Sequence, residues 1–130
     1  MANYYGTTVS SGGKIKKGSE SAIKEIIAKY TFGNEGELNV ELSVIDQSLQ
    51  IWGYDSCYAY PKMEDGELDF DQETFDGFLN EISKYLEEPL IVSEVGSEKC
   101  RYVNACAYIV KPNKDCEFVS LEDEINKKLK

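Results

Sequence analysis

The sequence predicts a single α+β domain with a mainly antiparallel sheet and about three helices. Its 130 residues suit one domain over positions 1–130 and leave little room for a second. Hydrophobic residues make up 42% of the chain, which is enough to fill a core. Short segments with helical or strand periodicity alternate along the chain and are separated by turn residues.

The first half predicts one helix among short strands. Residues 4–9 read as a strand, followed by a loop at 10–13. A helix then opens near Ser21 and ends at Gly33. Its apolar face comprises four residues at helical spacing: Ile23, Ile26, Ile27 and Tyr30.

A β-hairpin follows the first helix. Residues 38–44 alternate apolar and polar side chains, and residues 49–54 return as a second strand after a turn at 46–48. Residues 57–60 extend the sheet until Pro61 ends it.

A second helix is predicted from about Asp71 to Glu87, closed by Pro89. Its apolar stripe contains Phe75, Phe78, Leu79, Ile82 and Leu86, and we expect its acidic residues to be exposed.

The last third predicts three strands and a short helix. Residues 90–95 form a strand before a turn at Gly96, and the longest strand covers 101–110. A turn at 112–115 leads to a strand over 116–119. Ser120-Leu121-Glu122-Asp123 resembles a capping box at the start of a helix that runs through Leu129.

The residue types limit the possible chemistry. The chain contains no His, so a His general base, a Ser-His dyad and an imidazole metal ligand are all excluded. The four cysteines (57, 100, 106 and 116) lack C-x-x-C spacing, and we expect buried reduced thiols. A disulfide pair and zinc ligation stay open as alternatives. The sequence therefore predicts a protein that binds rather than catalyses, without metal or cofactor, while an enzyme using Lys, Asp or Tyr is a further alternative.

The chain also lacks targeting signals. No apolar stretch approaches the roughly 20 residues of a membrane span. Residues 1–5 contain neither a basic segment nor an apolar segment of the secretory type. We therefore expect a cytoplasmic protein without a membrane partner.

Three segments resemble a small family of uncharacterised acidic proteins carried by bacterial phages and mobile elements. They are the Asn3-Tyr4-Tyr5 opening, the block from Glu94 to Ala107 that includes Glu-Val-Gly-Ser-Glu-Lys-Cys-Arg-Tyr, and the Ser-Leu-Glu-Asp helix start at Ser120. Where family members carry an Arg-Ser-Asn-Tyr-Phe-like run, residues 8–12 are Thr-Val-Ser-Ser-Gly. The resemblance implies an accessory protein that blocks a host defence system, such as a CRISPR effector.

Acidic charge is concentrated in one segment. Residues 64–98 hold twelve acidic residues and one Lys, which gives this segment a formal charge of −11. The whole chain carries −10, so the remaining residues sum to +1. Dense acid on a rigid helix can imitate phosphate spacing and occupy the basic groove of a nucleic-acid-binding host protein. Ordinary solvation and a favourable helix dipole are the alternative explanation. The predicted acidic contact residues are Glu64, Asp65, Glu67, Asp69, Asp71, Glu73, Asp76, Glu81 and Glu87.

Two aromatic residues complete the predicted partner-binding set. Trp52 and Tyr54 share their spacing with Tyr58 and Tyr60, and all four would lie on one face if a single strand ran through them. Exposed aromatics suit protein interfaces, whereas packing beneath the helices is the alternative.

Two other possible sites have weaker patterns. The run 64–71 is acidic enough for Ca²⁺ but lacks the order of an EF-hand loop. An anion site could use the glycine-flanked Lys14, Lys16 and Lys17 together with Arg101, which is the sole arginine of the chain. A flexible loop and a structural ion pair are the alternatives to that anion site.

The leading hypothesis is a non-enzymatic protein that inhibits a host defence or nucleic-acid-binding protein without contacting nucleic acid itself. The second is a small-ligand binder that sequesters a nucleotide signal through the three lysines and Arg101. The sequence does not define the oligomeric state.

Overall fold

A computed structural model of the protein describes residues 4–63, 70–98 and 102–130. These residues form one α+β domain with three helices and a mainly antiparallel sheet. The strands are β1 Tyr4–Gly12, β2 Tyr30–Phe32, β3 Leu38–Ser43, β4 Ser48–Gly53, β5 Ala59–Pro61, β6 Leu90–Glu98, β7 Tyr102–Val110 and β8 Glu117–Ser120. The helices are α1 Glu20–Ala28, α2 Phe75–Ser83 and α3 Leu121–Leu129.

Six strands form the main sheet in the order β3-β4-β1-β6-β7-β8, and every neighbouring pair is antiparallel. β1 pairs with β6 along its whole length, which places the first strand of the chain in the middle of the sheet. β2 and β5 make a separate two-stranded sheet.

The two faces of the main sheet differ because side chains alternate along each strand. In β6, Leu90 and Val92 are fully buried, whereas Ile91 and Val95 are exposed. We call the side that carries Leu90 the inner face and the opposite side the outer face. α1 and α2 contribute buried residues to the same core as the inner face, while α3 contacts β7 and β8 and contributes none.

The predicted stripe of the second helix is confirmed. Phe75, Phe78, Leu79, Ile82 and Leu86 are all at most 1% exposed. The predicted length was wrong, because α2 ends at Ser83. Leu86 lies beyond the C-terminal end of the helix and is nevertheless buried. There it forms an isolated antiparallel β-bridge with Ile15.

Three other predicted boundaries were wrong. β1 continues to Gly12 through the predicted loop, because its last three residues pair with β6. The predicted turn at Gly96 lies inside β6, where that residue pairs with both β1 and β7. α1 ends at Ala28, and Tyr30 belongs to β2, where its ring lies 5.5 Å from that of Phe78. Tertiary pairing decided each boundary.

Among the described residues, none of the helices is long and apolar enough to cross a membrane.

Asp55 fixes the connection between the two sheets. Its carboxylate accepts hydrogen bonds from the backbone N–H groups of Asn34, Glu35, Glu37 and Ser56 at 2.8–3.0 Å. Although burial acts to raise the pKa of Asp55, these four backbone hydrogen bonds lower it below its usual value. The carboxylate is 4% exposed and holds the loop that follows β2.

We expect Asp55→Asn to destabilise the fold by about 3 kcal/mol, because an amide cannot accept from all four donors. A carboxylate whose pKa is lowered by folding contributes its full stabilisation of the folded state at pH values above its unfolded pKa of about 3.9. That contribution is lost as the pH falls through the lower folded pKa. Urea unfolding of wild type and variant should therefore differ most at neutral pH, and the difference should shrink as the pH falls below the unfolded value of about 3.9.

Asp46→Asn, in the exposed β3–β4 turn, is the matched control and should change stability little. A constant difference between wild type and Asp55→Asn from pH 7 to pH 2.5 would contradict the assigned role of the carboxylate.

Candidate protein-binding groove

An open groove of about 610 Å³ lies between α2 and the β7–β8 hairpin. We call it the acid–aromatic groove. The residues that line it are Glu73, Asp76, Asn80, Tyr108, Asp115, Cys116 and Phe118. It therefore combines three carboxylates with two aromatic rings.

The α2 side of the groove is held by the start of that helix. One oxygen of Glu73 accepts the N–H of Phe75 at 2.6 Å and that of Ala59 at 3.2 Å. The N–H of Thr74 in turn donates to the Ala59 carbonyl at 2.8 Å. These bonds join the helix start to β5. At the second residue of α2, Asp76 accepts the N–H of Gly77 at 2.8 Å, which fixes its side chain at the groove.

The hairpin side is anchored to the same helix. The N–H of Cys116 donates to Asn80 Oδ1 at 2.7 Å, and the N–H of Asn113 donates to the Ser83 carbonyl at 2.8 Å. Asn113 has a φ of +60°, a left-handed conformation that Asn tolerates better than most residues. The turn is thus held at two points, and Asp115 lies between them in the sequence.

Aromatic packing forms the floor of the groove. The Tyr108 ring lies 5.1 Å from that of Phe75 in the core and 5.0 Å from that of Phe118. Phe118 is 53% exposed, so the row of rings leads from the core to the surface. Tilted rings at this spacing attract each other.

The groove has a negative potential. None of Glu73, Asp76 and Asp115 takes part in an ion pair with a cation of the described residues. Burial raises the pKa of the Cys116 thiol, and the neighbouring Asp76 raises it further. Burial likewise raises the pKa of Tyr108, with contributions from Cys57 and Glu73. These carboxylates and rings suit a guanidinium or ammonium group.

The predicted acidic residues are not a single patch of free carboxylates. Glu81 pairs with Lys29 at 2.7 Å and accepts from the Tyr30 hydroxyl, while Glu87 lies 3.6 Å from Lys14. Asp71, Glu73 and Asp76 are exposed before or within the first turn of α2. Glu64, Asp65, Glu67 and Asp69 lie outside the described residues.

Glu94 also belongs to the acidic segment, but it is buried on the inner face. Its Oε1 accepts the N–H of Cys57 at 2.7 Å.

The predicted aromatic pair lies apart from this groove. Trp52 is 46% exposed on the outer face and donates through Nε1 to Glu41 at 3.0 Å. Tyr54 is 79% exposed beyond the end of β4. The shared face considered for four aromatics was wrong, because β4 ends at Gly53 and Tyr60 is buried in the smaller sheet.

The predicted lysines make contacts with the protein itself. Lys16 donates to the Lys84 carbonyl at 2.9 Å and to Asn113 Oδ1 at 3.4 Å. Lys14, already paired with Glu87, lines a recess of about 510 Å³ that includes Trp52 and Glu88. Lys17 is exposed, and Arg101 lies outside the described residues.

Three cysteines are free thiols, with Cys57 buried and Cys106 and Cys116 partly exposed. Cys100 lies outside the described residues. Within residues 4–63, 70–98 and 102–130, no group of three acidic or thiol side chains could hold a metal ion.

No protein-family model, curated protein or solved structure matches this chain.

Asp115, Tyr108 and Phe118 were not among the residues selected from the sequence. Their signal is visible only with the topology in hand. The β7–β8 register pairs Tyr108 with Phe118, and the anchored turn brings Asp115 to the start of α2. Asp115 lies more than 30 residues from α2 in the sequence, so local sequence patterns do not show that the two come together.

We expect Asp76→Asn to accelerate alkylation of Cys116 by iodoacetamide at pH 8, because loss of the nearby charge lowers the thiol pKa. Two charges about 6 Å apart in water interact by about 0.7 kcal/mol, so the acceleration should be about threefold. Rates for each cysteine come from mass spectrometry of digested samples. Asp46→Asn is the control, and an unchanged Cys116 rate in Asp76→Asn would refute the negative potential in the groove.

Proposed function

We propose that this protein is a non-enzymatic interaction protein that binds a basic segment of a partner protein in the acid–aromatic groove. The observation that carries the proposal is that three carboxylates, none in an ion pair with a cation of the described residues, meet two mutually tilted aromatic rings in one concave surface. Both kinds of group attract Arg and Lys side chains, and the rings also bury the apolar stems of those side chains.

Electrostatics sets the scale of such binding. One exposed ion pair contributes about 0.2–1 kcal/mol, so three carboxylates and a cation–π contact support moderate affinity. The net charge of −10 adds long-range attraction for a basic partner and raises the association rate. Salt should weaken both effects.

The resemblance to phage and mobile-element proteins extends the proposal to a biological setting. In that setting the partner is a host defence or nucleic-acid-binding protein in the cytoplasm, and the groove binds side chains that otherwise contact phosphate. Because Glu81 and Glu87 form ion pairs with lysines of this chain, the proposed contact surface is the groove and not the whole acidic segment.

The test uses a fluorescent Arg- and Lys-rich peptide and a peptide of the same length with Gln at every basic position. Fluorescence anisotropy should show binding of the basic peptide alone, weakened as NaCl rises from 50 to 300 mM. The double variant Asp76→Asn with Asp115→Asn should bind about fivefold more weakly, at about 0.5 kcal/mol for each lost charge.

The control variant Glu25→Gln with Glu122→Gln removes the same charge from exposed positions outside the groove. It should change the affinity by less than twofold. Equal losses in both double variants would show that net charge acts instead of the groove. Phe118→Ser should weaken binding, whereas Tyr54→Ser, at an exposed aromatic elsewhere, should not.

A further inference from the structure

The outer face of the central strands carries no charge. β1, β4 and β7 contain no charged residue, although 29% of the whole chain is charged. The two acidic residues of β6, Glu94 and Glu98, fall on the inner face by the alternation of the strand. A continuous neutral surface therefore spans four adjacent strands of a protein with a net charge of −10.

Large apolar side chains are exposed across this surface. The exposed fractions are 59% for Val9, 46% for Trp52, 40% for Ile91, 56% for Val95 and 65% for Val103. These four strands and β8 cover roughly 600 Å² of sheet plane at a strand spacing of about 4.8 Å and a rise of about 3.4 Å. A standard protein interface buries about 800 Å² per partner, so the surface approaches the size that a stable dimer needs.

We propose that the outer face binds a second copy of this chain, so that two sheets pack face to face as a symmetric dimer. Ser, Thr, Ala and Val alternate along these strands, and side chains of this size interdigitate in packed sheets about 10 Å apart. A two-fold axis that runs along the strands between β1 and β6 places β7 of one copy over β4 of the other.

The shape of the face agrees with this arrangement. On the outer face, β1 and β4 separate beyond the Val9–Trp52 pair, and Ser10 Oγ accepts the Ile51 N–H at 2.8 Å in place of a strand neighbour. The recess of about 510 Å³ opens there, with Trp52 at its wall and the charged Lys14, Asp46 and Glu88 also among its lining residues. The axis preserves height along the strands, so the part of β7 of the second copy that lies over this recess is the end near Ile109, which the strand ladders align with Ser11.

Salt distinguishes this interface from binding in the acid–aromatic groove. Two copies with −10 each repel, whereas the four central strands carry no charged side chain on their outer face. Screening should therefore strengthen the dimer, while it weakens the binding of a basic peptide.

The experiment is sedimentation equilibrium of the full chain at 50 and 500 mM NaCl. The wild type should dimerise, with a dissociation constant that falls as salt rises. Val95→Glu introduces a charge beside the two-fold axis and should weaken the dimer at least tenfold. An equimolar mixture of Val95→Glu and Val95→Lys should restore it, because opposite charges then meet at the axis. Ile45→Glu, at a 94% exposed position in the β3–β4 turn, is the control and should leave the dimer intact.

Circular dichroism and thermal melting establish that each variant is folded, and Val103→Glu takes the place of Val95→Glu if the latter fails to fold. A wild type that stays monomeric at 500 µM in both salts overturns the proposal. So does a dimer that Val95→Glu and Val103→Glu leave unchanged, or a mixture that fails to restore association. None of these three results affects the peptide test of the groove.

Discussion

One layer of helices covers only one face of the six-stranded sheet, and the arrangement of the surfaces follows from that constraint. α1 and α2 are each nine residues long, or about 14 Å at 1.5 Å per residue. They bury their apolar stripes against the inner face. α3 has no buried residue and lies beside β8, so it adds no second layer. None of the helices in residues 4–63, 70–98 and 102–130 therefore covers the outer face.

The same constraint creates the acid–aromatic groove. α2 is too short to cover the sheet as far as β8, so Tyr108 and Phe118 continue the aromatic row past the helix toward solvent. The first turn of α2 supplies Asp76, and acidic residues favour that position because of the helix dipole. A stabilising feature of the helix thus also gives the groove its charge.

The sequence could predict much of the fold because helical and strand periodicity reflect burial directly. The stripe of α2 and the β3–β4 hairpin follow from local pattern alone. The end of β1 could not be predicted, because Ser10 and Ser11 are held in the strand by pairing with Val92 and Ile91 of β6, which are distant in the sequence. β2 was missed for a related reason, since Tyr30 continues the helical pattern of α1 while its ring packs on Phe78.

The candidate site was less accessible to sequence reasoning than the fold. Counting charge identifies an acidic segment, but it does not tell that Glu81 is paired with Lys29 or that Glu94 is buried. Counting charge also overlooks Asp115, because it lies in a turn near Lys111 and Lys114, where the sequence has little net charge. Its role emerges only when the hairpin turn is bound to α2 through Asn80.

The two proposed surfaces lie on opposite sides of the sheet, so occupation of one leaves the other open. The acid–aromatic groove contains Tyr108, an inner-face residue of β7, whereas its neighbour in the strand, Ala107, belongs to the outer face. A dimer formed through the outer faces would therefore carry two grooves directed away from each other. A partner with two basic segments could engage both at once, and the second contact would then form at a high effective concentration. The weak contacts expected of a single exposed groove would be strengthened in this way without any added charge.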